Sequence, residues 1–314
     1  MLAPDRQPRV APIGTSGRGL RRIGSLRLRL MPDRPSLTLV LPAFNEAERI
    51  GPALDELFGY LRRRGAYARD GVPGSATLPD RVEVLVVDDG STDGTADLVR
   101  ARPEPEIEVI SVPHGGKGAA VRAGMLHAAT DLVLFADADM ATPPDMIALI
   151  VEALADSDVA LGSRIQPDGS DMRKSQPWYR RMLGKAFHAL ASVWVVGPVQ
   201  DTQCGFKGFT REAAQYLFAR QKIQSIVFDV EVIYLARRHG YRLAIVPIRW
   251  SDRRGSRMKA RPALALRVGW DLFRIPLLHR GPRRTADQAA AHGSAAHAAA
   301  AHASATPVED PTDG

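Results

Sequence analysis

Two aspartates one residue apart, Asp137-Ala138-Asp139, close the apolar run Leu132-Val-Leu-Phe135. In an extended segment, residues i and i+2 project to the same side. Such a pair suits a hard cation like Mg²⁺, which takes one or two carboxylates and fills its sphere with water and phosphate oxygens. Two further polar motifs follow apolar runs in the same way, Pro42-Ala-Phe44-Asn-Glu46 and Asp88-Asp89-Gly-Ser-Thr-Asp-Gly-Thr95. Asp93, just before Gly94-Thr95, reads as a helix cap. Asp88 and Asp89 precede the turn and fit that reading less well. Gly115-Gly-Lys117-Gly118 lacks the spacing of a phosphate loop and the Ser/Thr after its lysine. It reads as a glycine-rich helix start with Lys117 available to an anion.

The elements that must position these groups are legible from hydrophobic pattern. Strands are expected at Leu37–Leu41, Val82–Val87, Ile107–Ile110 and Asp131–Phe135, and another begins at Val159–Leu161. Helices are expected after Asn45 toward Arg64, from Asp93-Gly-Thr-Ala, over Gly118–Ala129, and from Pro143 to about Ala155. Strands apolar on both faces, alternating with helices, imply a mostly parallel α/β sheet covered on both sides. Ligands of such sheets bind at the carboxyl ends of the strands, so the acidic clusters are expected to converge on one crevice.

Composition bounds the alternatives. The 314 residues are 45% apolar and 25% charged, as in ordinary globular proteins. The single cysteine, Cys204, rules out an intrachain disulfide framework and a cysteine metal cluster. No apolar run reaches the ~18 residues of a membrane span, and the Arg-rich start has no apolar core of a secretory signal. The net charge of +7 is unevenly placed. Residues 1–34 hold eight Arg and two Asp, and residues 237–284 hold fourteen basic and two acidic side chains, whereas 35–236 are net acidic. Basic blocks of this kind suit an anionic membrane surface or a phosphorylated ligand. Nucleic acid fits poorly, because zinc-finger spacing and an RNP-type aromatic motif are both missing. The expected division is a disordered basic segment at 1–35, one folded domain at 36–280, and a disordered Ala/His-rich tail at 281–314. Within that tail, His292, His297 and His302 are spaced as in a spacer.

The set Pro42-Ala-Phe-Asn-Glu46, Val87-Asp-Asp-Gly-Ser-Thr-Asp-Gly-Thr95, Gly116-Lys-Gly118 and Asp137-Ala-Asp139 resembles family 2 glycosyltransferases with the GT-A nucleotide-diphospho-sugar fold. Gly162-Ser-Arg164, Asp201-Thr-Gln-Cys-Gly-Phe-Lys207, Phe228-Asp-Val-Glu231, and Trp250 followed by Gly255-Ser256 are similar to dolichyl-phosphate glucosyltransferases, with dolichyl-phosphate mannose synthases next. The resemblance implies that Pro42, Phe44, Glu46 and Asp89 hold the nucleoside of the donor, with Val87 lining its pocket. Lys117 and Ala138 would join the nucleotide-sugar site, and Asp137 and Asp139 would hold the diphosphate through Mg²⁺ or Mn²⁺. Arg164, Lys207, Arg253 and Arg257 would face phosphates of donor or acceptor, and Gln203 would lie in the acceptor-side motif. Mannose synthases usually carry Gln two residues after the acidic pair, where this chain has Ala141. That departure favours glucose from UDP-glucose over mannose from GDP-mannose.

A phosphate-monoester acceptor has a second pKa of ~6 and is already an anion near neutrality. It needs positioning and charge compensation, whereas a sugar hydroxyl needs a carboxylate base. Asp229 marks that fork, because it can serve as the base or, like Glu231, cap the following helix. The expected reaction is inverting transfer to a polyprenyl phosphate at the cytoplasmic membrane face. GDP-mannose as donor, a hydroxyl acceptor, and a non-catalytic binding module are the alternatives. Tyr179–Val196 and Pro262–Arg280 are basic, aromatic-bearing amphipathic segments. They either lie in a membrane interface or cover the sheet, and their charge favours the membrane.

Overall fold

The computed structural model describes residues 35–69, 79, 81–172, 191–197, 199, 201–251 and 262–282. The basic N-terminal segment up to residue 34 and the tail beyond residue 282 lie outside the described residues, as do Arg253, Gly255, Ser256 and Arg257.

Seven strands form one sheet: β1 Leu37–Ala43, β2 Val82–Asp88, β3 Ile107–Ser111, β4 Leu132–Ala136, β5 Val159–Ser163, β6 Phe206–Thr210 and β7 Leu243–Pro247. Their order is β3-β2-β1-β4-β6-β5-β7. β3, β2, β1 and β4 are parallel neighbours, as are β5 and β7. Only β6 is reversed, antiparallel to both β4 and β5. The sheet is therefore mostly parallel, as expected.

The described helices are α1 Ala47–Arg69, α2 Thr95–Arg100, α3 Lys117–His127, α4 Ile147–Asp156, α5 Arg211–Arg220, α6 Phe228–Arg238 and α7 Pro262–Leu278. A 3₁₀ turn, Pro144–Met146, leads into α4, and a π-helical turn spans Ser192–Val196. The period-2 side-chain alternation of β1 sorts the core into two faces. Leu37, Leu39 and Leu41 pack with Ile50, Leu54 and Leu57 of α1 and Ile147 and Ile150 of α4. Val40 faces the other way, with Val121 and Met125 of α3, Leu217 of α5 and Ile233 of α6.

The reversed strand decides what meets at the functional edge. Register pairs Ala136 with Phe206 and Leu132 with Thr210. The beginning of β6 thus lies beside the end of β4, and the Asp201–Lys207 motif reaches the edge that carries Asp137.

Candidate active site

The loops after β1 and β2 are laced together. Asn45, at φ 53°, donates its N–H to Ser91 Oγ at 2.9 Å and accepts the Thr92 N–H on Oδ1 at 2.8 Å. Thr95 Oγ1 accepts the Glu46 N–H at 2.8 Å. Asp93 joins two helix starts: Oδ2 accepts from Ala47 N at 3.1 Å and Oδ1 from Thr95 N at 3.1 Å. Burial alone pushes its carboxyl up, but the Thr95 and Ala47 hydrogen bonds together hold it below the usual carboxylate range. Gly94 occupies the N-cap position of α2, at φ 85°, so Asp93 caps from one residue further out than expected.

Asp89 differs from expectation. Only 3% exposed, it accepts the N–H groups of Gly115 at 2.8 Å and Gly116 at 2.9 Å, and lies 2.9 Å from His114 Nδ1. The carboxylate expected to hold a nucleoside is occupied by the turn that precedes α3. The exposed ring of Phe44 stacks on His114, centroids 4.2 Å apart. Val87 was expected to line a nucleoside pocket, but its side chain is fully buried in the core on the α3 face of the sheet. Half-buried Pro42 pairs in register with Val87 across β1 and β2.

The acidic pair is met by cations from two helices. Lys117 Nζ donates to Asp137 Oδ1 at 2.5 Å, and Arg49 Nη1 to Asp139 Oδ2 at 3.2 Å. Arg49 also chelates Glu46 through Nε at 2.7 Å and Nη2 at 2.5 Å. Asp139 Oδ1 accepts the Ala141 N–H at 3.1 Å, beside Met140 at φ 49°. Burial, then the neighbouring Asp137 carboxylate, push the Asp139 carboxyl up. Burial works against the Lys117 ammonium, but Asp137 and Asp229 outweigh it and raise its pKa. Gly205, just before β6, makes room for this arrangement: a Cβ there would collide with the Asp137 carboxylate. Glu46, Lys117, Asp137 and Asp139 thus come together around buried Ala138, joined by Arg49, which the sequence reading missed. Its signal was the i,i+3 spacing from Glu46 in the first turn of α1.

Two hard carboxylates one residue apart fit a divalent cation. Among the described residues no cluster of three or more His, Cys, Asp or Glu gathers for one, so water and phosphate oxygens would complete the sphere.

On the other side of Asp137 each cation is locked to a buried carboxylate. Arg164 Nε and Nη2 fork onto Asp201 at 2.8 and 2.5 Å, and the Arg164 N–H adds a third bond at 2.7 Å. Although burial opposes the charge, Asp201 holds the guanidinium well above the ordinary arginine pKa. Its Cζ lies 5.5 Å from the centroid of the Trp250 ring. Asp201 itself sits at φ 51°, and half-buried Gln203 follows in the same turn. Asn45, Met140 and Asp201 are the non-glycine residues with positive φ among the described residues, and all three lie at this edge of the sheet.

Lys207 is 1% exposed and does not face the crevice as expected. Its Nζ donates to Asp229 Oδ1 at 2.6 Å and to the Cys204 carbonyl, and sits 5.4 Å from the Phe135 ring centroid. Asp229 is buried as well, at 3% exposed. Burial pushes its carboxyl up, against the opposing pull of Lys207 and Lys117. The Cys204 thiol beneath is pushed up by burial to about 12 and stays neutral. Glu231 caps nothing on its own helix; it accepts the N–H groups of Lys222 and Ile223 at 2.9 and 2.8 Å.

Comparison with known proteins agrees with these motifs. The sequence model of "Glycosyl transferase family 2" matches residues 38–218. The chain belongs to glycosyl transferase family 2. A dolichyl-phosphate beta-glucosyltransferase of Trichomonas vaginalis is 36% identical over 258 residues, covering 79% of this chain and 73% of the relative. Those of Drosophila melanogaster and Homo sapiens are 35% and 32% identical, covering 78% and 72% of this chain and 76% and 71% of the relatives. Among solved structures, glucosyl-3-phosphoglycerate synthase of Mycobacterium tuberculosis with UDP superposes with TM-score 0.52 at 20% identity, over 82% of this chain and 86% of that one. This family 2 glycosyltransferase has the GT-A fold.

One face of the transferase remains apolar and exposed. Leu266, Trp270, Phe273 and Leu277 form the outer stripe of α7, while Asp271, Leu272 and Ile275 face inward. Trp194, from the π-helical turn, stacks on Phe273 with centroids 5.6 Å apart and donates Nε1–H to its carbonyl at 3.3 Å. Of the two expected amphipathic segments, 262–280 is this helix and its exit, whereas residues 179–190 of the other lie outside the described residues. No helix among the described residues is long and apolar enough to cross a membrane.

Proposed function

We propose that the chain transfers glucose from UDP-glucose to a polyprenyl phosphate of the dolichyl type, with inversion, at the cytoplasmic face of a membrane. The observation that carries this reading is the row Lys117–Asp137, Asp139–Arg49–Glu46 at the joined ends of β1, β4 and β6. Each carboxylate holds an ammonium or guanidinium that a diphosphate can take over.

Asp137 and Asp139 would hold Mg²⁺ or Mn²⁺, which when bound neutralises charge developing on the leaving diphosphate. Lys117 and Arg49 would then turn to the phosphate oxygens, electrostatic stabilisation by preorganised donors. The Phe44–His114 ledge flanks the nucleoside. The guanidinium of Arg164, held beside Trp250 on the acceptor side, has its charge balanced by Asp201 and would orient phosphate oxygens rather than add net charge. Gln203 follows Asp201 on that side, and by the resemblance Arg253 and Arg257 would add charge toward phosphates of donor or acceptor.

Asp229 supports a phosphate acceptor rather than a hydroxyl. A general base must reach the proton it removes, and Asp229 is buried behind Lys207. A phosphate monoester needs no such base. The relatives named above point to dolichyl phosphate as acceptor, and the aromatic stripe of α7, flanked by Arg267 and Arg280, suits an anionic lipid surface.

The test is transfer of radiolabelled sugar to polyprenyl phosphate in detergent, with UDP-glucose and GDP-mannose side by side and EDTA controls. EDTA-sensitive lipid label from UDP-glucose alone is expected. Label from GDP-mannose alone would reassign the donor, and no lipid label from either would overturn the reading.

A further inference from the structure

Lys117 owes its place to a turn that α3 does not hold by itself. Gly116, the N-cap residue, has φ 92° and provides no side-chain cap. The turn is clamped from outside instead. Asp89 takes the Gly115 and Gly116 N–H groups, and the Gln224 carbonyl takes that of Gly118 at 2.9 Å. Gln221 Nε2 bridges the Gly118 and Ile223 carbonyls at 2.9 and 2.8 Å. The fit is close: a Cβ on Gly118 would lie 2.7 Å from the Gln224 carbonyl oxygen. Gln221 is buried and leaves its Oε1 without a hydrogen-bond partner, a cost accepted to place its amide N–H groups.

The clamping segment 221–225, between α5 and α6, is in turn braced from below. Fully buried Glu231 accepts the Lys222 and Ile223 N–H groups and lies 2.6 Å from His279 Nε2. Ser225 Oγ donates to Asp271 Oδ2 at 2.6 Å, and Lys222 Nζ to the Leu278 carbonyl at 2.9 Å. Asp271, also paired with Arg274, points inward from α7, and His279 follows that helix. Hydrogen bonds joined through the 221–225 backbone therefore link the helix with the exposed aromatic stripe to Gly118, next to the lysine beside the acidic pair.

We propose that Ser225 and Asp271 are positioning residues for Lys117: the Ser225–Asp271 strap and the Glu231–His279 pair tie α7 to the 221–225 segment and so set where the ammonium meets the donor diphosphate. This rests on the reading of Lys117 as a donor-side group.

The experiment uses the full chain and the variants Ser225→Ala, Asp271→Asn, Ser225→Thr and Lys117→Ala. It reads amide hydrogen exchange of residues 112–120 and steady-state kinetics with UDP-glucose, Mn²⁺ and polyprenyl phosphate. In Ser225→Ala, exchange at Gly116–Ala120 and the KM for UDP-glucose should each rise about tenfold, the scale of one net hydrogen bond. The kcat should stay within about threefold, the acceptor KM should not move, and Ser225→Thr should restore both readouts. On a Lys117→Ala background, Ser225→Ala should add less than about twofold, because neighbours acting through one group are not additive. Unchanged exchange at 112–120, or an undiminished KM effect on the Lys117→Ala background, overturns the proposal. If Asp271→Asn does not fold, Ser225→Ala decides alone. If Lys117→Ala leaves donor KM unchanged, the donor-site reading fails, and the exchange measurement still decides the brace.

Discussion

Two lysine–aspartate pairs sit on either side of the same crevice edge with nearly equal lengths, Lys117–Asp137 at 2.5 Å and Lys207–Asp229 at 2.6 Å. Their surroundings differ. The side chains of the first pair are 32% and 38% exposed, those of the second 1% and 4%. A part-exposed ion pair exchanges partners at lower cost than a fully buried one, which cannot lose a partner without stranding a charge. The first pair therefore suits a ligand that arrives and leaves, and the second suits a fixed part of the fold. Equal geometry with unequal burial separates a binding group from a structural one.

The largest expected effect lies on the open side. Asp137→Asn should lower turnover by about 10²–10³-fold, the scale of losing one electrostatic stabiliser of the transition state. Thermal stability should change little, because the carboxylate is part-exposed. Turnover and a melting curve on the same preparation check both halves. A large fall in Tm together with preserved turnover would reverse the assignment of the two pairs.

The closed side should behave in the opposite way. Lys207→Met leaves Asp229 buried and unpaired and should cost about 3–5 kcal/mol of stability. Adding Asp229→Leu should recover most of it, since replacing both partners by apolar groups of similar shape is often near neutral. Phe135, Phe209, Phe218 and Phe228, with centroid separations from 5.2 to 6.5 Å, already supply apolar surroundings. Denaturant unfolding of the single and double variants measures this. Recovered stability without recovered turnover would give the pair an electrostatic part in the reaction; recovery of both would confine it to the fold.

The same contrast explains what was legible in the sequence. The open side was: Leu132-Val-Leu-Phe135 reads as a buried strand, and carboxylates just past its end must emerge at the sheet edge. Lys117 followed from its glycine-rich helix start. The partners were not legible, because they come from far along the chain: Arg49 reaches Asp139 across 90 residues, and Asp89 reaches Gly115 across 26. Val87 was assigned to the pocket by resemblance alone, while its actual direction, into the core, depends on register with β1 and β3. Lys207 misled for a related reason. Its motif was visible, but nothing local shows that β6 runs backwards between β4 and β5 and turns that side chain into the core. Strand identity is written in local pattern, and strand direction is fixed only when the whole sheet closes.

A third carboxylate sharpens the contrast at the smallest scale. Asp93 is exposed and bonded by N–H groups and a hydroxyl rather than by a cation. Burial raises the Asp229 carboxyl; at Asp93 the hydrogen bonds that outweigh burial lower it. A group whose folded pKa is depressed contributes stability above its unfolded value, and loses it as pH falls through the folded value. Asp93 should therefore stabilise the fold fully near neutrality and cease to do so in acid, below the ordinary carboxylate range. Asp93→Asn, which keeps the shape and removes the charge, should cost about 0.3–1 kcal/mol at pH 7, the scale of a carboxylate's charge at a helix N-terminus. The difference from the unaltered chain should shrink as pH falls through the depressed pKa. Asp229→Asn should show the reverse dependence: its raised folded pKa makes the charged carboxylate a burden as pH rises, so the variant's relative stability should improve toward neutrality once Lys207 is also made neutral. Paired melting curves across pH 3–7 would show two carboxylates of one fold shifting stability in opposite directions, and parallel slopes for the two would remove the distinction between the open and the closed side.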